Sequence, residues 1–414
     1  MDKDKTLKAL CYLILVIGAF IPIASYVFMG ILLVLIIIFE REQQVLMTIK
    51  ENIPLMLLLM LVFVSSIFSE LWYISTFYAL LFFIKVVYFS VISQYFSESD
   101  IRRIINIILV LGVFVSVIGI FQVTCSKSVM PEWWIDKDVF KINVRAYSTF
   151  YNPNVLSVYL NLVIITSVVA HRSYTDKTIL LLSKISFVTS LVCLIFTYSR
   201  AGWVSLCGAF LILGLLKKEY LRHFIIVTFI LVLADYLMGV GRLNPINIQK
   251  DSSISYRVEI WLTSIKIIKD NILFGIGPGT LWDYIPRYSD KIKAYVAHSH
   301  SLYLQILLDI GIIGLMIFGY YILNIWKILK SGFNVSGDIG ITSTILLTFL
   351  IVLLIHGLVD AVPLHFQVSI FIWFLLGIYN SYKSKLALQK GNSLNILLPC
   401  RNRIENKEVI MDEM

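Results

Sequence analysis

The chain is built from long apolar runs separated by short polar segments. An α-helix needs ~20 mostly apolar residues to cross a bilayer, whereas the strands of a membrane β-barrel alternate apolar and polar residues. The unbroken runs therefore predict membrane-spanning helices. We count about twelve of them, at residues 6–21, 23–39, 53–68, 71–94, 104–124, 153–170, 179–198, 202–216, 224–239, 302–326, 341–359 and 365–382.

Composition agrees with this pattern. Hydrophobic residues make up 58% of the chain, charged residues make up 15%, and the mean hydropathy is +0.85, which is far more apolar than a soluble domain. We predict an all-α polytopic membrane protein.

The distribution of Lys and Arg predicts its orientation. With the N-terminus in the cytoplasm, each short inward loop is basic, and the outward turns at 69–70 and 360–364 carry no Lys or Arg. An even number of spans also places the basic tail, 383–414, in the cytoplasm. The formal net charge of +9 is then mostly a topology signal, and no nucleic-acid partner is predicted.

Two outward segments, 125–152 and 241–298, break the pattern because both are basic. Long loops are translocated largely regardless of charge, so the orientation still holds. A basic outward surface suits an anionic, lipid-linked substrate, since the guanidinium fork of Arg matches phosphate oxygens. Ordinary solvated loop charge is the alternative.

The larger outward segment contains a predicted amphipathic helix. Its apolar stripe indicates a helix on the membrane surface or on the outer ends of the spans, and consists of Ile254, Val258, Trp261, Ile265 and Ile268. Ser253 or Ser255 is the expected N-cap, which puts Arg257 near the positive end of the helix dipole. The later run Gly275-Ile-Gly-Pro-Gly279 is weak evidence for phosphate binding, and a tight turn is the favoured interpretation.

His298 and His300 lie where the chain re-enters the membrane on the outward side. A histidine with an ordinary pKa of ~6.5 can accept a proton from a sugar hydroxyl near neutral pH. Considered alone, two interfacial histidines are more often amphipathic anchors.

The run from His300-Ser through nine residues to Gly311-Ile-Ile-Gly314 resembles the histidine motif of the O-antigen ligase and polymerase family. Other segments between Phe150 and Asp360 agree in order. They are Phe150-Tyr-Asn-Pro-Asn154, Tyr198-Ser-Arg-Ala-Gly-Trp203, Arg257-Val-Glu-Ile-Trp261, Gly275-Ile-Gly-Pro-Gly279 and His356-Gly-Leu-Val-Asp360. One departure is Trp261, which stands where the arginine motif of the ligases usually has Leu.

The resemblance implies a GT-C-like membrane glycosyltransferase in the bacterial inner membrane, inverting and metal-independent, with no cofactor. Its donor would be an undecaprenyl-pyrophosphate-linked glycan at the outer leaflet. By motif, Arg200 and Arg257 would bind the pyrophosphate, and His300 would orient or deprotonate the acceptor hydroxyl. Because of Trp261, we favour a polymerase of O-antigen, capsule or exopolysaccharide. The alternative is a ligase that transfers the glycan to the lipid A core of lipopolysaccharide.

Further substrate-binding roles are predicted for His298, Arg287, Arg145, Lys85 and Asn154. Lys85 lies mid-span, where a charged group must be paired or solvated, or must reach the membrane surface by snorkelling. Lys85 either faces inward, toward the cleft that would hold the lipid pyrophosphate, or snorkels to the interface. Arg200 has a plain interfacial anchor as its alternative role.

Two other pairs of polar residues have possible roles beside the motifs. His356 and Asp360, four residues apart on one predicted helix, are expected to hydrogen-bond each other, with a supporting catalytic role as the second interpretation. Asp136 and Asp138 form an Asp-x-Asp pair that could hold a divalent cation, but it lies outside the matched motifs and has basic neighbours.

The predicted organisation has three parts. Residues 1–125 form N-terminal transmembrane helices, 126–382 form the ligase/polymerase-like membrane domain with the extracytoplasmic loop 241–300, and 383–414 form the tail. Expected partners are the lipid-linked donor, an acceptor glycan lipid and the bilayer, with a flippase and a chain-length regulator beyond these. A lipid-linked sugar transporter is the competing class. The clustering of polar residues on one side disfavours it, since a translocation path needs them through the bilayer.

Overall fold

The computed structural model describes residues 2–125, 139–140, 142 and 144–389. Every regular element in these ranges is helical, which confirms the predicted all-α class. Sixteen α-helices are described: α1 Lys3–Gly18, α2 Pro22–Ile38, α3 Glu42–Glu51, α4 Ile53–Phe68, α5 Trp72–Tyr95, α6 Ile101–Thr124, α7 Pro153–Ser173, α8 Lys177–Thr197, α9 Arg200–Leu216, α10 Leu221–Leu237, α11 Pro245–Lys250, α12 Ser252–Asp270, α13 Leu281–Tyr288, α14 Leu302–Gly332, α15 Asp338–His356 and α16 Phe366–Gln389.

Seven segments within the described residues are long and apolar enough to cross a membrane, which makes the chain a multi-pass membrane protein. They contain α5, α6, α7, α8, α10, α14 and α15. α2 and α3 would add an eighth span if they count as one, although the chain bends by 111° between them. α4 and α9 are apolar but shorter. Each predicted apolar run coincides with a helix, and the full count of twelve spans stays a prediction.

The loops between the helices gather at two ends of the bundle. At one end, loops that were predicted to face outward bond to each other: Ser69 Oγ to the Ile276 carbonyl (2.6 Å) and Arg145 Nε to the Thr197 carbonyl (2.7 Å). At the other end, contacts join loops that were predicted to face inward: Lys8 with Asp100 (2.6 Å), Arg172 with Glu219 (2.9 Å) and Tyr174 with Asp338 (2.6 Å). The contacts agree with the predicted alternation of loops, while the orientation in a membrane stays a prediction.

α14 is broken at Gly311, whose backbone has φ +68° and ψ −169°. The turn after α12 fills the break: Ile276 N–H donates to the Leu308 carbonyl (2.7 Å), and Ile312 N–H donates to the Ile272 carbonyl (2.8 Å). A Cβ on Gly275 would lie 2.3 Å from the Leu308 oxygen, so only glycine permits this approach. The Gly275–Gly279 run therefore acts as a packing turn, in agreement with the favoured interpretation.

One detail predicted for α12 was wrong. Asp251, not Ser253 or Ser255, caps the helix, since its Oδ1 accepts from Ser253 N–H at 2.9 Å. Of the predicted apolar stripe only Ile268 belongs to the face that packs on the protein, so the partly or fully exposed remainder fits the membrane-surface interpretation better than packing on the outer ends of the spans. The residues buried against the neighbouring helices are Ile260, Thr263, Ser264, Ile267 and Ile268, whereas the predicted Val258 and Ile265 are each 41% exposed.

Candidate active site

Six separate segments deliver polar side chains to one end of the bundle. The segment after α13 contributes His298 and His300, the turn after α15 contributes Asp360, and α12 contributes Arg257. Further arginines come from the first residue of α9 and from the segments that precede α7 and α11. Together Arg145, Arg200, Arg242, Arg257, His298, His300, Asp251 and Asp360 form what we call the arginine–histidine cluster.

Asp360 is the centre of one half of this cluster. Its Oδ1 lies 3.3 Å from His298 Nε2 and 3.5 Å from His300 Nδ1, and its Oδ2 lies 3.9 Å from Arg257 Nη2. Asn154 Nδ2 donates to Oδ2 at 3.0 Å. The structure thus brings four predicted site residues around the buried carboxylate of Asp360. Asp360 itself was predicted mainly as a structural partner of His356.

The expected side-chain pairing of His356 with Asp360 is wrong. α15 ends at His356, so the two residues do not share a continuous helix face. Asp360 bonds back only through its backbone N–H, to the His356 carbonyl at 3.1 Å. Both ring nitrogens of His356 are buried and make no hydrogen bond with any described residue. The geometry fits the second interpretation, in which Asp360 supports the site.

The carboxyl of Asp360 is held in its charged form. Burial alone would raise its pKa, but the adjacent imidazoles of His298 and His300 and the charge of Arg257 outweigh burial and hold the pKa of Asp360 well below its usual range. A fixed negative charge therefore faces the two histidines and Arg257.

Arginines dominate the other half of the cluster. Arg200 Nη2 donates to Asp251 Oδ2 at 2.5 Å, and Arg242 Nη1 lies 3.7 Å from the same oxygen. The second nitrogen of the Arg200 fork, Nη1, is buried and makes no hydrogen bond with a described residue. Arg145 Nη2 donates to Asn154 Oδ1 at 3.3 Å, which links the arginines to the amide that bonds Asp360.

The cluster contains more positive than negative charge. Among the described residues, four arginines face Asp251 and Asp360, and a third buried carboxylate, Asp235, accepts from the Arg242 backbone N–H at 2.8 Å, which leaves an excess of one positive charge when the histidines are neutral. Burial, and then the like charges of Arg242, Arg257 and Arg200, lower the pKa of Arg145 well below its usual value. Burial and Arg200 likewise lower the pKa of Arg242 to about 10. Arginine stays protonated in proteins, so a bound anion is what would relieve this repulsion.

The backbone of His300 is strained. Its φ is +52°, a left-handed conformation that is uncommon in residues other than glycine and concentrates at functional sites. Trp261 Nε1 donates to the His300 carbonyl at 3.2 Å. Trp261, the residue at which the arginine motif departs from that of the ligases, therefore connects α12 directly to His300.

The imidazole of His300 suits proton acceptance. Burial lowers its pKa below the ordinary value, and the nearby Asp360 opposes this only in part. The ring is thus neutral near pH 7. Nδ1 lies 3.5 Å from Asp360 Oδ1 and makes no hydrogen bond with a described residue, and a proton on Nδ1 directed at that carboxylate would leave Nε2 as the acceptor.

A metal ion is a second chemical possibility for the histidine half. His298, His300 and Asp360 place three potential ligand atoms within 4.8 Å of one another, a donor set that suits a divalent transition metal. Arg257, 3.9 Å from the same carboxylate, and the excess of arginines disfavour a cation there. The earlier metal candidates, Asp136 and Asp138, lie outside the described residues.

Two predicted substrate-binding residues lie apart from the cluster. Arg287, on α13, pairs with Glu70 (2.6 Å) and Asp283, and no described contact joins it to the cluster. Lys85 is 8% exposed and faces inward, over the rings of Tyr26 (5.6 Å) and Phe366 (5.9 Å). This placement favours the inward-facing interpretation of Lys85 over snorkelling.

Arg242 and Asp251 were not singled out from the sequence. Arg242 was counted only as loop charge, and its Nε donates to the Tyr198 carbonyl at 3.2 Å across the bundle end. Asp251 pairs with Arg200, 51 positions away. No local spacing encodes such contacts, although the Asp251-Ser-Ser sequence carried a capping signal that could have been weighed.

The fold and this site define a multi-pass membrane protein that carries a partly buried cationic cluster with two histidines at one end of its helix bundle. Residues 185–319 match the family model described as O-antigen ligase. The match contains Arg200, Arg257 and His300, and it confirms the resemblance to the O-antigen ligase and polymerase family, whose members are glycosyltransferase-like enzymes. A comparison with curated proteins found no match.

Proposed function

We propose that the chain is a glycosyltransferase that polymerises undecaprenyl-pyrophosphate-linked oligosaccharide repeats into a surface polysaccharide at the outer leaflet. One observation carries the proposal. A set of four arginines, two buried and two half-buried, carries an excess of positive charge beside a strained histidine whose Nδ1 lies 3.5 Å from a buried carboxylate. This arrangement suits a reaction in which a sugar hydroxyl loses a proton while an anionic leaving group departs.

The cluster divides the reaction between its two halves. The acceptor hydroxyl attacks the anomeric carbon of the donor sugar, and His300 Nε2 takes the hydroxyl proton as general base. The bond from the anomeric carbon to the pyrophosphate oxygen breaks on the opposite face, which inverts the configuration. Arg200, with Nη1 unoccupied by any described partner, and Arg257 stabilise the charge that develops on the pyrophosphate.

An apolar cavity supports a donor with a lipid chain. It has a volume of about 270 Å³ and is lined mainly by residues of α4, α14, α15 and α16. Its lining reaches Leu302 and Pro363, each within three residues of His300 or Asp360 in the chain, and includes Lys85. Burial, together with the charges of His298 and Lys85, lowers the pKa of His365 to about 4. Lys85, in the cavity wall, and His298, in the cluster, therefore both act on the same histidine. The isoprene units next to the pyrophosphate would occupy this cavity, with the pyrophosphate at the arginines and the rest of the polyprenyl chain in the bilayer.

Ligation is the second candidate function, because the matched family model is described as O-antigen ligase. The two reactions share donor chemistry and differ in the acceptor, a second lipid-linked repeat or a sugar of the lipid A core. We favour polymerisation because Trp261 replaces the leucine expected in the ligase motif, and because its indole contacts His300, the residue that would meet the acceptor.

The test is a reconstituted assay with a synthetic undecaprenyl-pyrophosphate repeat. The full chain in vesicles should convert single repeats into a ladder of longer products. His300→Ala and Arg257→Ala should each lower the rate by at least 10²-fold. His171→Ala, at the opposite end of the bundle, and Arg287→Ala, in the same large loop, are matched controls that should retain the ladder.

Each competing function has its own outcome in this assay. Transfer only to an added lipid A core acceptor, with no ladder, would replace polymerase with ligase. Movement of unmodified repeats across the vesicle membrane would favour the transporter. A normal ladder from His300→Ala or Arg257→Ala would remove that residue from the proposed mechanism.

A further inference from the structure

A crevice separates α1 from α6 at the end of the bundle opposite the arginine–histidine cluster. Its volume is about 750 Å³. α1 packs mainly on α2, α5 and α16, and α6 packs mainly on α7 and α8, so the space between α1 and α6 remains open. Gln122, near the end of α6, bonds Ser148 close to Arg145, whereas Arg102 at the start of α6 lies about 30 Å away at 1.5 Å per residue.

The crevice is basic at its mouth and apolar along its length. Arg102 and Arg103 stand at the mouth, and Val110 and Phe114 of α6 face Val16 and Phe20 from the α1 side. Basic side chains at the mouth followed by apolar side chains along the groove suit an amphiphile with an anionic head group.

No described carboxylate pairs with the arginines at the mouth. The nearest acidic residue in the chain, Asp100, is engaged by Lys8 Nζ at 2.6 Å and by the Tyr12 hydroxyl at 3.2 Å. Arg102 lies over the ring of Tyr174 at 5.1 Å and contacts the Tyr174 hydroxyl, and Arg103 contacts the Tyr12 hydroxyl. Their partners are thus neutral hydroxyls, and the two positive charges can still attract a phosphate.

A polar group lies one helical turn deeper than the arginines. Asn106 lines the crevice, and its Oδ1 is buried without a hydrogen bond to any described residue. Nδ2 is not buried in this way and makes no hydrogen bond with a described residue, so it is the amide atom that can donate to an ester carbonyl in the crevice. The ester groups of a glycerophospholipid lie at this depth below the phosphate.

We propose that the α1–α6 crevice is a binding site for one anionic glycerophospholipid of the leaflet at this end. Arg102 and Arg103 bind the phosphate, Asn106 bonds an ester carbonyl, and an acyl chain runs toward Phe114 and Phe20. The eleven positions from Arg103 to Phe114 span about 16 Å, close to the ~15 Å hydrocarbon depth of one leaflet. With the predicted orientation, this is the cytoplasmic leaflet.

The experiment measures lipid retention by the full chain with native mass spectrometry. The detergent-purified protein is titrated with phosphatidylglycerol or phosphatidylcholine vesicles, and retained lipids are counted. One phosphatidylglycerol per chain should persist where phosphatidylcholine does not. Arg102→Ala with Arg103→Ala should weaken retention by about fivefold for each arginine, about 25-fold together. Equal retention of the two lipids by the unaltered chain would overturn the proposal.

Two further variants separate the crevice from general surface charge. Lys218→Ala with Arg222→Ala removes two exposed cations at the same end of the bundle, away from the crevice, and should leave retention unchanged. An equal loss in this control would overturn the site. Val110→Trp keeps both arginines but fills the crevice, so the tightly held lipid should be lost, and persistence of that lipid would overturn the assignment even if the arginine variant fails to fold.

Discussion

Asp360→Asn is the sharpest perturbation of the proposed site, because it changes a charge with almost no change in shape. The carboxylate lies 3.9 Å from Arg257 Nη2. At an effective dielectric constant of about 20, that separation corresponds to an attraction of about 4 kcal/mol. If this attraction holds Arg257 in its catalytic position, the variant should lose about 10³-fold in rate. The Asn154 hydrogen bond to Oδ2 would also be disturbed.

The pH dependence of the same variant gives an independent readout. His300 must be neutral to accept a proton, so activity should fall as pH drops through its pKa, which burial sets below the ordinary value. Asp360 raises that pKa in part, so its loss in Asp360→Asn should move the acidic limb of the rate profile to lower pH.

The assay is the ladder of lipid-linked products, measured from pH 5 to pH 8 in vesicles. Asp338→Asn is the matched control, since it removes a carboxylate at the opposite end that accepts from the Tyr174 hydroxyl at 2.6 Å. A near-normal rate for Asp360→Asn, or an acidic limb that moves to higher pH, would refute the role given to this carboxylate.

Three further outcomes follow from the same geometry. Trp261→Phe removes only the N–H that bonds the strained His300 backbone, so kcat should fall about five- to tenfold. Trp282→Phe is the control, because its indole N–H makes no hydrogen bond with described residues, and kcat should not change. Equal effects of the two variants on kcat would dismiss the positioning role of Trp261. Arg200→Lys cannot reproduce the guanidinium fork, so KM for the donor should rise at least tenfold, and an unchanged KM would favour the anchor interpretation. Activity should survive treatment with a chelator; loss that Zn²⁺ or Mn²⁺ restores would assign a metal to the histidine half of the cluster.

The sequence predicted the helices well because the apolar runs needed for membrane insertion are long and uninterrupted. It did not identify the packing face of α12, because an apolar stripe suits the membrane surface as well as the outer ends of the spans. The chosen stripe was the apolar one, yet the buried face includes Thr263 and Ser264. At a membrane, apolar residues face lipid as well as protein, so hydrophobic periodicity does not identify the side that packs.

The site was predictable where motifs carried it and obscure where contacts are long-range. Motifs singled out Arg200, Arg257 and His300, which the structure places in one cluster. The partner of Asp360 was predicted from an i, i+4 spacing that holds only within a continuous helix, and the helix ends at His356. The ion pair of Arg200 with Asp251 joins α9 to the cap of α12, and only the folded chain brings these two elements together.

The caps and the charges of this site depend on each other. Asp251 caps α12 with one oxygen and pairs with Arg200 through the other, so the helix that carries Arg257 begins at the residue that anchors a second arginine. Asn154 makes a second link between an arginine and a carboxylate, since its Oδ1 accepts from Arg145 and its Nδ2 donates to Asp360. Each carboxylate therefore fixes the position of arginines without neutralising all of them. Full neutralisation would make the bundle end more stable but would leave nothing to attract an anion, whereas the positive charge left over attracts the pyrophosphate of the proposed donor.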